Sequence, residues 1–312
     1  MSNRILITPR SLSSGGHPGL MPLTEAGYEL VFAAVGSMPT EADLLAAIPG
    51  CVGWLAGVEP VSTQVIAAAD KLRVISRNGT GIDNLPVEIL AAKNIAVCRA
   101  EGTNARGVAE LALALSLTAM RRIVPTHQAL VNGKWSRWIG REMQGARVAV
   151  IGLGAIGAQF AGFALGLGAD VNGFDPFAAP DRVLHDRFAR TSLVDAIRDA
   201  NLVSLHAPLP VDGRPLLGSA LLATLAPGAV VVNTARAGLV DADAMLAALA
   251  SDQVGCYATD VFETEPPEPS PVLLHPHVLL TSHIGGYTVE SVDRTTRAAV
   301  ENMLEVLTRH AT

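Results

Sequence analysis

The chain has 312 residues, 49% hydrophobic, 17% charged and 4% aromatic, with 23 Lys/Arg against 29 Asp/Glu for a formal charge of −6. That length exceeds one ordinary core and predicts two domains, and the apolar share predicts a large interior with a buried subunit interface. No run of Lys or Arg occurs, which excludes nucleic acid and anionic membranes as expected partners.

The N-terminus, MSNRILITPR, reads directly into a strand with no secretory hydrophobic region. Strand-like apolar runs follow at Ile5–Thr8, Val52–Ala56, Leu72–Ser76 and Ile95–Cys98. Between them lie helical patterns near Glu41–Ile48, Thr63–Ala69 and Pro86–Lys93, an alternation that predicts a parallel sheet covered on both faces. Two helices are expected next, at about Asn104–Arg122 and Pro125–Gly133. The longest apolar stretch, Leu111–Met120, is too short to span a membrane and reads as a buried helix. Cys51, Cys98 and Cys256 are scattered, with no metal-ligand spacing, so no metal is expected and a reducing, cytoplasmic setting is. Cys51 and Cys98 read as small buried hydrophobes. Trp135 and Trp138 flank Arg137 and are expected to pack, with cover of the cleft or of an interface as the alternative.

The segment Arg147–Asp175, RVAVIGLGAIGAQFAGFALGLGADVNGFD, carries the most information. A β-branched run ends at Gly152, where Gly152 and Gly154 permit a sharp turn and close approach of backbone to a pyrophosphate. Gly157 lets the next helix pack tightly on the strand, and that helix offers its N-terminus to the phosphates. Asp175, 18 residues beyond Gly157, is placed to accept the ribose hydroxyls. The βα rhythm then continues: strand Asn201–His206, helix Pro215–Leu225, strand Ala229–Asn233, helix Ala242–Ala250, strands near Val254–Val261 and Val278–Thr281, and a final helix from about Val289 to Thr308.

Three polar clusters follow strands of this second half: Asn233–Gly238, Asp260–Pro267 and Thr281–Gly286. In open α/β sheets ligands bind at the carboxyl ends of strands, so these clusters are the candidate site. Together they supply a guanidinium that can clamp a carboxylate, carboxylates, and an imidazole able to take a hydroxyl proton as hydride leaves carbon. A carboxylate beside that imidazole would fix its tautomer and keep its acid form available. Glu263 is expected to face away or into solvent. His206 reads as scaffold, and His17, His127, His185, His275, His277 and His310 as surface or loop residues.

With SRNGTGIDN (Ser76–Asn84), TNARGVAEL (Thr103–Leu111), the GLGAIG turn, HAPLP (His206–Pro210), NTARAGLVD (Asn233–Asp241), ATDVFETEPP (Ala258–Pro267) and SHIGG (Ser282–Gly286), the chain resembles the D-isomer-specific 2-hydroxyacid dehydrogenases nearly end to end. It is most similar to their phosphoglycerate dehydrogenase-like branch. The resemblance implies an α/β fold of two doubly wound parallel-sheet domains. A Rossmann NAD-binding domain (100–286) would be inserted into a flavodoxin-like substrate domain (1–99 plus 287–312), with a cleft between them and the last helix completing the first.

By motif, the resemblance assigns Arg236 to substrate, Glu265 as partner of the histidine, and His283 as acid/base. It places Asp260 at the nicotinamide carboxamide, with Thr80 and Gly285 on that side of the cofactor. Ala155, Ile156 and the glycines Gly152, Gly154 and Gly157 fall at the pyrophosphate, Thr234 and Ala235 along the cofactor, and Ala207 near the adenosine. Asn78 and Gly79, in the Asn78–Gly81 loop, would bind the substrate carboxylate through backbone N–H groups.

The implied activity is NAD-dependent interconversion of a small D-2-hydroxy acid and its 2-oxo acid. The alternatives are a 3-phosphoglycerate dehydrogenase and, from another class, an NAD(H)-sensing corepressor-like protein. Relatives that read phosphate carry an arginine where this chain has Gly57, and Glu59 nearby would repel a phosphate. Glyoxylate or hydroxypyruvate is therefore ranked above the phosphorylated substrate. A homodimer through Asn104–Arg122 is expected, and Pro176–Ala179 shows no arginine for a 2′-phosphate.

Overall fold

The computed structural model describes residues 3–13 and 16–309; His310 lies outside them. It divides into two compact units, residues 1–104 with 288–312, and residues 105–287. The first boundary falls five residues later than the expected 99/100 and the second one residue later than 286/287. Ala100 donates its N–H to Gly79 O, and Thr103 Oγ1 bonds Ala100 O and Thr295 Oγ1, which ties the segment after residue 99 to the first unit. Tyr287 donates its N–H to Ile284 O and stays with the second.

The first unit holds a five-stranded, all-parallel sheet of β1 (Arg4–Ile7), β2 (Glu29–Phe32), β3 (Cys51–Ala56), β4 (Val74–Arg77) and β5 (Ala96–Arg99), ordered β2-β1-β3-β4-β5. This is the flavodoxin-like order. The central strands β1, β3 and β4 are short apolar runs buried on both faces, as a parallel sheet requires, while the edge strands β2 and β5 are partly exposed. The Val289–Arg309 helix packs Ala299, Val300, Met303 and Leu307 into this core and accepts Ser76 Oγ at Ala299 O (2.6 Å). The chain's last helix therefore completes the unit formed by its beginning. β2 escapes prediction because it is a half-exposed edge strand of four residues.

The second unit is a seven-stranded parallel sheet, ordered β12-β11-β10-β9-β6-β7-β8. Its strands are β6 (Arg147–Ile151), β7 (Asp170–Phe174), β8 (Phe188–Arg190), β9 (Leu202–Leu205), β10 (Ala229–Asn233), β11 (Val254–Thr259) and β12 (Val278–Leu280). The order reverses between β6 and β9, the switch point at which Rossmann folds bind dinucleotides. Two apolar clusters line the two faces. The Ala105–Met120 helix belongs to one of them, burying Ala109, Ala112, Leu115, Ala119 and Met120.

Some expectations are corrected. The helix expected over Pro215–Leu225 shrinks to Ser219–Leu222, since Leu217 instead bridges Val240. The Pro125–Gly133 helix begins earlier, at Ile123, and ends at Val131, because proline is tolerated in a first turn whose N–H groups have no helical partners. Trp135 and Trp138 do not pack within the chain: they are 82% and 44% exposed, beside Ile139 at 99%. Cys98 is only half-buried, whereas Cys51 is fully buried. Among the described residues, no helix is long and apolar enough to cross a membrane.

Candidate active site

The dinucleotide turn is built as its glycines require. Gly152 has φ +93°, and a Cβ there would lie 2.6 Å from the backbone carbon of His206. A Cβ on Gly157 would lie 1.8 Å from Gly152 O, so helix and strand approach only because both residues lack side chains. At Gly154 a Cβ would meet nothing within 4 Å, which is the open side where a phosphate can approach. No side chain caps the Ala155–Gly166 helix, leaving the first-turn N–H groups at Ala155 and Ile156 to bind an anion.

Asp175 follows β7. Its Oδ2 accepts the Leu153 N–H (2.7 Å) and its Oδ1 those of Phe177 (2.8 Å) and Ala178 (3.0 Å). Burial alone would raise its pKa, but these backbone bonds and the Arg190 guanidinium outweigh it and hold the carboxyl below its ordinary value. An ionised carboxylate with three of about four lone-pair sites filled retains capacity for a ribose hydroxyl. Arg190, on β8, donates to Ala178 O (2.7 Å) and to Asp175 O. Pro176–Ala179 itself carries no arginine, as read from sequence, but strand pairing brings one to this loop from 15 residues beyond Asp175.

Thr234, 8% exposed, has a buried hydroxyl without a partner, and Ala235 beside it is half-buried. Ala207 follows β9 next to the turn. An orphaned buried hydroxyl, an open glycine and an uncapped helix start on one sheet edge fit a bound dinucleotide. His206 bonds Ser204 Oγ through Nε2 (2.8 Å), and its Nδ1 is buried without a partner. Desolvation pushes its pKa down to about 3, so it stays neutral and is scaffold.

The groups expected to react lie beyond β10, β11 and β12. His283 Nδ1 sits 2.7 and 2.9 Å from the two carboxylate oxygens of Glu265. With Nδ1–H donated to a carboxylate, Nε2 is the atom left to exchange a proton. His283 has φ +55°, a conformation that an L-residue adopts only when its surroundings impose it. Asp260 imposes it: 1% exposed, it accepts Thr281 Oγ1 (2.6 Å) and the Ile284 N–H (2.8 Å) at Oδ1, and the Gly285 N–H (2.8 Å) at Oδ2. The carboxylate expected at the cofactor thus clamps the loop on both sides of the histidine. Glu263 is exposed, as expected.

Arg236 follows β10, with Nη1 donating to Ala235 O (2.7 Å). Its turn is held by Asn233, fully buried, which donates to Arg236 O (2.8 Å) and accepts the Ala235 N–H (3.1 Å). Sequence reasoning assigned no role to Asn233, Thr281 or Arg190, since each acts through a contact distant from its own motif position. Among the described residues, no group of three or more His, Cys, Asp or Glu could hold a metal ion.

In the first unit, the Asn78 N–H is spent on Ala56 O (2.9 Å), which narrows the expected backbone donors to Gly79, Thr80 and Gly81. Thr80 is exposed, and its Oγ1 reaches Ala100 O (3.5 Å). Glu59 is not a surface charge. It is 1% exposed, bonded to Thr8 Oγ1 and to the Gly57 N–H (2.9 Å), and burial pushes its carboxyl pKa up. Arg77, 6% exposed, donates to Ala56 O and Asn78 O.

Residues 113–285 match the D-isomer specific 2-hydroxyacid dehydrogenase, NAD binding domain, family. Over 259 residues the chain is 37% identical to the D-3-phosphoglycerate dehydrogenase of Mycobacterium leprae, covering 82% of this chain and 49% of that protein. It is 33% identical over 252 residues to the hydroxypyruvate reductase of Thermotoga maritima, covering 79% and 81%. A crystal structure of a Thermus thermophilus protein superposes with TM-score 0.87 at 32% identity, over 98% of this chain and 97% of that one. The chain spans about half the length of the phosphoglycerate dehydrogenases it matches. With the glycine turn, the Asp175 carboxylate and the Glu265–His283 pair on one parallel sheet, and a family match over most of that unit, residues 105–287 form an NAD-binding domain and the chain belongs to the D-isomer-specific 2-hydroxyacid dehydrogenase family.

Proposed function

We propose that the chain is an NAD-dependent oxidoreductase that interconverts a small D-2-hydroxy acid and its 2-oxo acid. The observation that carries this reading is the Glu265–His283 pair, 2.7 Å apart, on a loop that Asp260 holds in a left-handed conformation. NAD, when bound, supplies or accepts the hydride. His283 Nε2 gives a proton to the carbonyl oxygen in reduction and removes it from the hydroxyl in oxidation. Glu265 stabilises the imidazolium and fixes the tautomer. Arg236 binds the substrate carboxylate. Asp175 and the N–H groups at Ala155 and Ile156 hold ribose and pyrophosphate, with Thr234, Ala235, Ala207, Asp260 and Gly285 along the cofactor.

Glyoxylate- or hydroxypyruvate-type substrates are ranked above 3-phosphohydroxypyruvate. Repulsion by Glu59 no longer supports this, since Glu59 is 1% exposed and its carboxyl is taken up by Thr8 Oγ1 and the Gly57 N–H rather than turned to a ligand. What supports the ranking is that Gly57 supplies no cation and that Arg77 is committed to Ala56 and Asn78 carbonyls. The hydroxypyruvate reductase relative is also matched over 81% of its length. A panel of 2-oxo acids, with NADH oxidation followed optically, tests both levels. No turnover with any member sinks the activity; a higher kcat/KM for the phosphorylated acid sinks only the ranking.

A homodimer and a cytoplasmic location complete the proposal. The dimer is supported by exposed Ile123, Leu130, Val131, Trp135, Trp138 and Ile139, six large apolar side chains within one short stretch of the chain. The interface is proposed on the Ile123–Val131 helix and the segment after it rather than on the expected Asn104–Arg122, because the Ala105–Met120 helix spends much of its apolar surface inside its own unit. The location is supported by three free cysteines.

A further inference from the structure

At the end of the second sheet opposite the catalytic loops, a cavity of about 200 Å³ opens between the C-terminal end of the Ala105–Met120 helix, the start of the Ile123–Val131 helix and the first residues of β11 and β12. Its polar lining is Thr118, Arg122, Gln128, Cys256, His275 and His277. Cys256 and Asp260 are four residues apart along β11 and its extension, about 13 Å at 3.3 Å per residue, so the cavity is separate from the dinucleotide site.

We propose that this cavity is a binding site for a small oxyanion, a carboxylate or a phosphate, with Arg122 as its principal ligand. Two independent observations support it. Arg122 has φ +49° and is pinned between two helices in a conformation that an L-residue adopts only under constraint. Among the described residues its guanidinium has no hydrogen-bond or ion-pair partner, nor do the side chains of Thr118 and Gln128. A five-donor cation beside a hydroxyl and an amide, all without internal partners, is the donor set that a planar or tetrahedral oxyanion satisfies.

The imidazoles add to this set. His275 Nδ1 accepts the His277 N–H (3.2 Å), so Nε2 carries the proton and is a donor. Burial, then the nearness of Arg122 and His275, lowers the His277 pKa; Asp252, 3.9 Å from Nδ1, opposes that. Burial pushes the Cys256 thiol up to about 11, so it adds no negative charge that would repel an anion. The site also escapes most of the proposed dimer contact. At about 100° per residue, Val124, Pro125 and Gln128 face the cavity while Ile123 and Leu130 lie on another side of the same helix; Val131, seven residues after Val124, sits one to two turns further along the cavity's own face.

The test is a 15N-TROSY titration of the full chain, saturated with NADH to block phosphate binding at the Ala155–Gly157 turn. Inorganic phosphate and acetate are added in separate arms, with chloride at matched ionic strength as control. The expected result is saturable shifts of the Ile123, Val124, Cys256 and His277 amides, with Kd of about 1 mM or tighter for one anion, which identifies the class. Arg122→Met should weaken binding by about tenfold or more, the loss expected for a charge-assisted bond. Gln128→Leu, on an exposed helical position, should weaken it by about threefold and serves if Arg122→Met fails to fold. Shifts that do not saturate, that chloride reproduces, that fall only on the dinucleotide turn, or that persist in both variants overturn the assignment.

Discussion

Cofactor choice can be worked from the ribose loop, because an acid and a base stand there together. The 2′-phosphate of NADP(H) would face the Asp175 carboxylate, held ionised by three backbone hydrogen bonds and by Arg190. Like charges about 4 Å apart repel by about 1 kcal/mol in water and about 4 kcal/mol at an effective dielectric near 20. Asp175 is partly exposed, so the lower half of that range applies, about 1.4–2 kcal/mol, or ten- to thirtyfold in favour of NAD(H). Arg190 does not cancel this in the parent, since its donors are anchored on Ala178 O and Asp175 O. In Asp175→Ser the repulsion disappears and the adjacent guanidinium can turn to the phosphate, a charge-assisted bond of about 1.5–3 kcal/mol. The ratio of kcat/KM for NADPH to that for NADH should then rise by about a hundredfold, and Arg190→Met in the same background should reverse most of the gain. Steady-state kinetics with both cofactors on the three proteins reads this directly. Equal kcat/KM for NADH and NADPH in the parent, or an unmoved ratio in Asp175→Ser, refutes the reasoning.

The remaining predictions concern the acid/base pair, its clamp, pH and assembly. His283→Ala should lower kcat by roughly 10²–10⁴-fold with NADH affinity little changed, and Glu265→Gln should slow reduction more in alkaline than in acidic buffer; a Glu265→Gln pH profile superimposable on the parent's would show that the contact is not functional. Asp260→Asn places an amide against backbone N–H donors, so it should cost about 2–4 kcal/mol of stability and at least tenfold in kcat, and denaturation and kinetics indistinguishable from the parent would remove its positioning role. His206, held at about 3 against an ordinary 6.5, contributes stability that is full above pH 6.5 and is lost as pH falls towards 3, because the unfolded chain takes up the proton first. The stability gap between parent and His206→Phe should therefore narrow on acidification, and urea unfolding that finds a constant gap from about pH 7 to about pH 4 contradicts this. Val131→Asp with Ile139→Asp should convert a dimer to a monomer by light scattering, and a parent that is already monomeric at micromolar concentration ends the assembly proposal.

Local chemistry determined much of this protein from sequence alone. Short β-branched runs bounded by helices specify buried parallel strands, and the glycines of the turn are legible because only a residue without Cβ satisfies φ +93° at Gly152 or the approach at Gly157. Edge strands β2 and β8 were not legible, since a few half-exposed residues carry no burial pattern. Arg236, Glu265 and His283 were visible as polar residues after strands. What tertiary structure decided is which groups meet. Strand order sets Glu265 against His283 across 18 residues, Asp260 around the His283 loop, and Arg190 against the Asp175 loop. It also turned Glu59 from an expected surface charge into a buried hydrogen-bonded acid, and left Trp135 and Ile139 exposed. A side chain's ionisation and partners depend on the solvent and dipoles that packing places around it, and those come from segments far away along the chain.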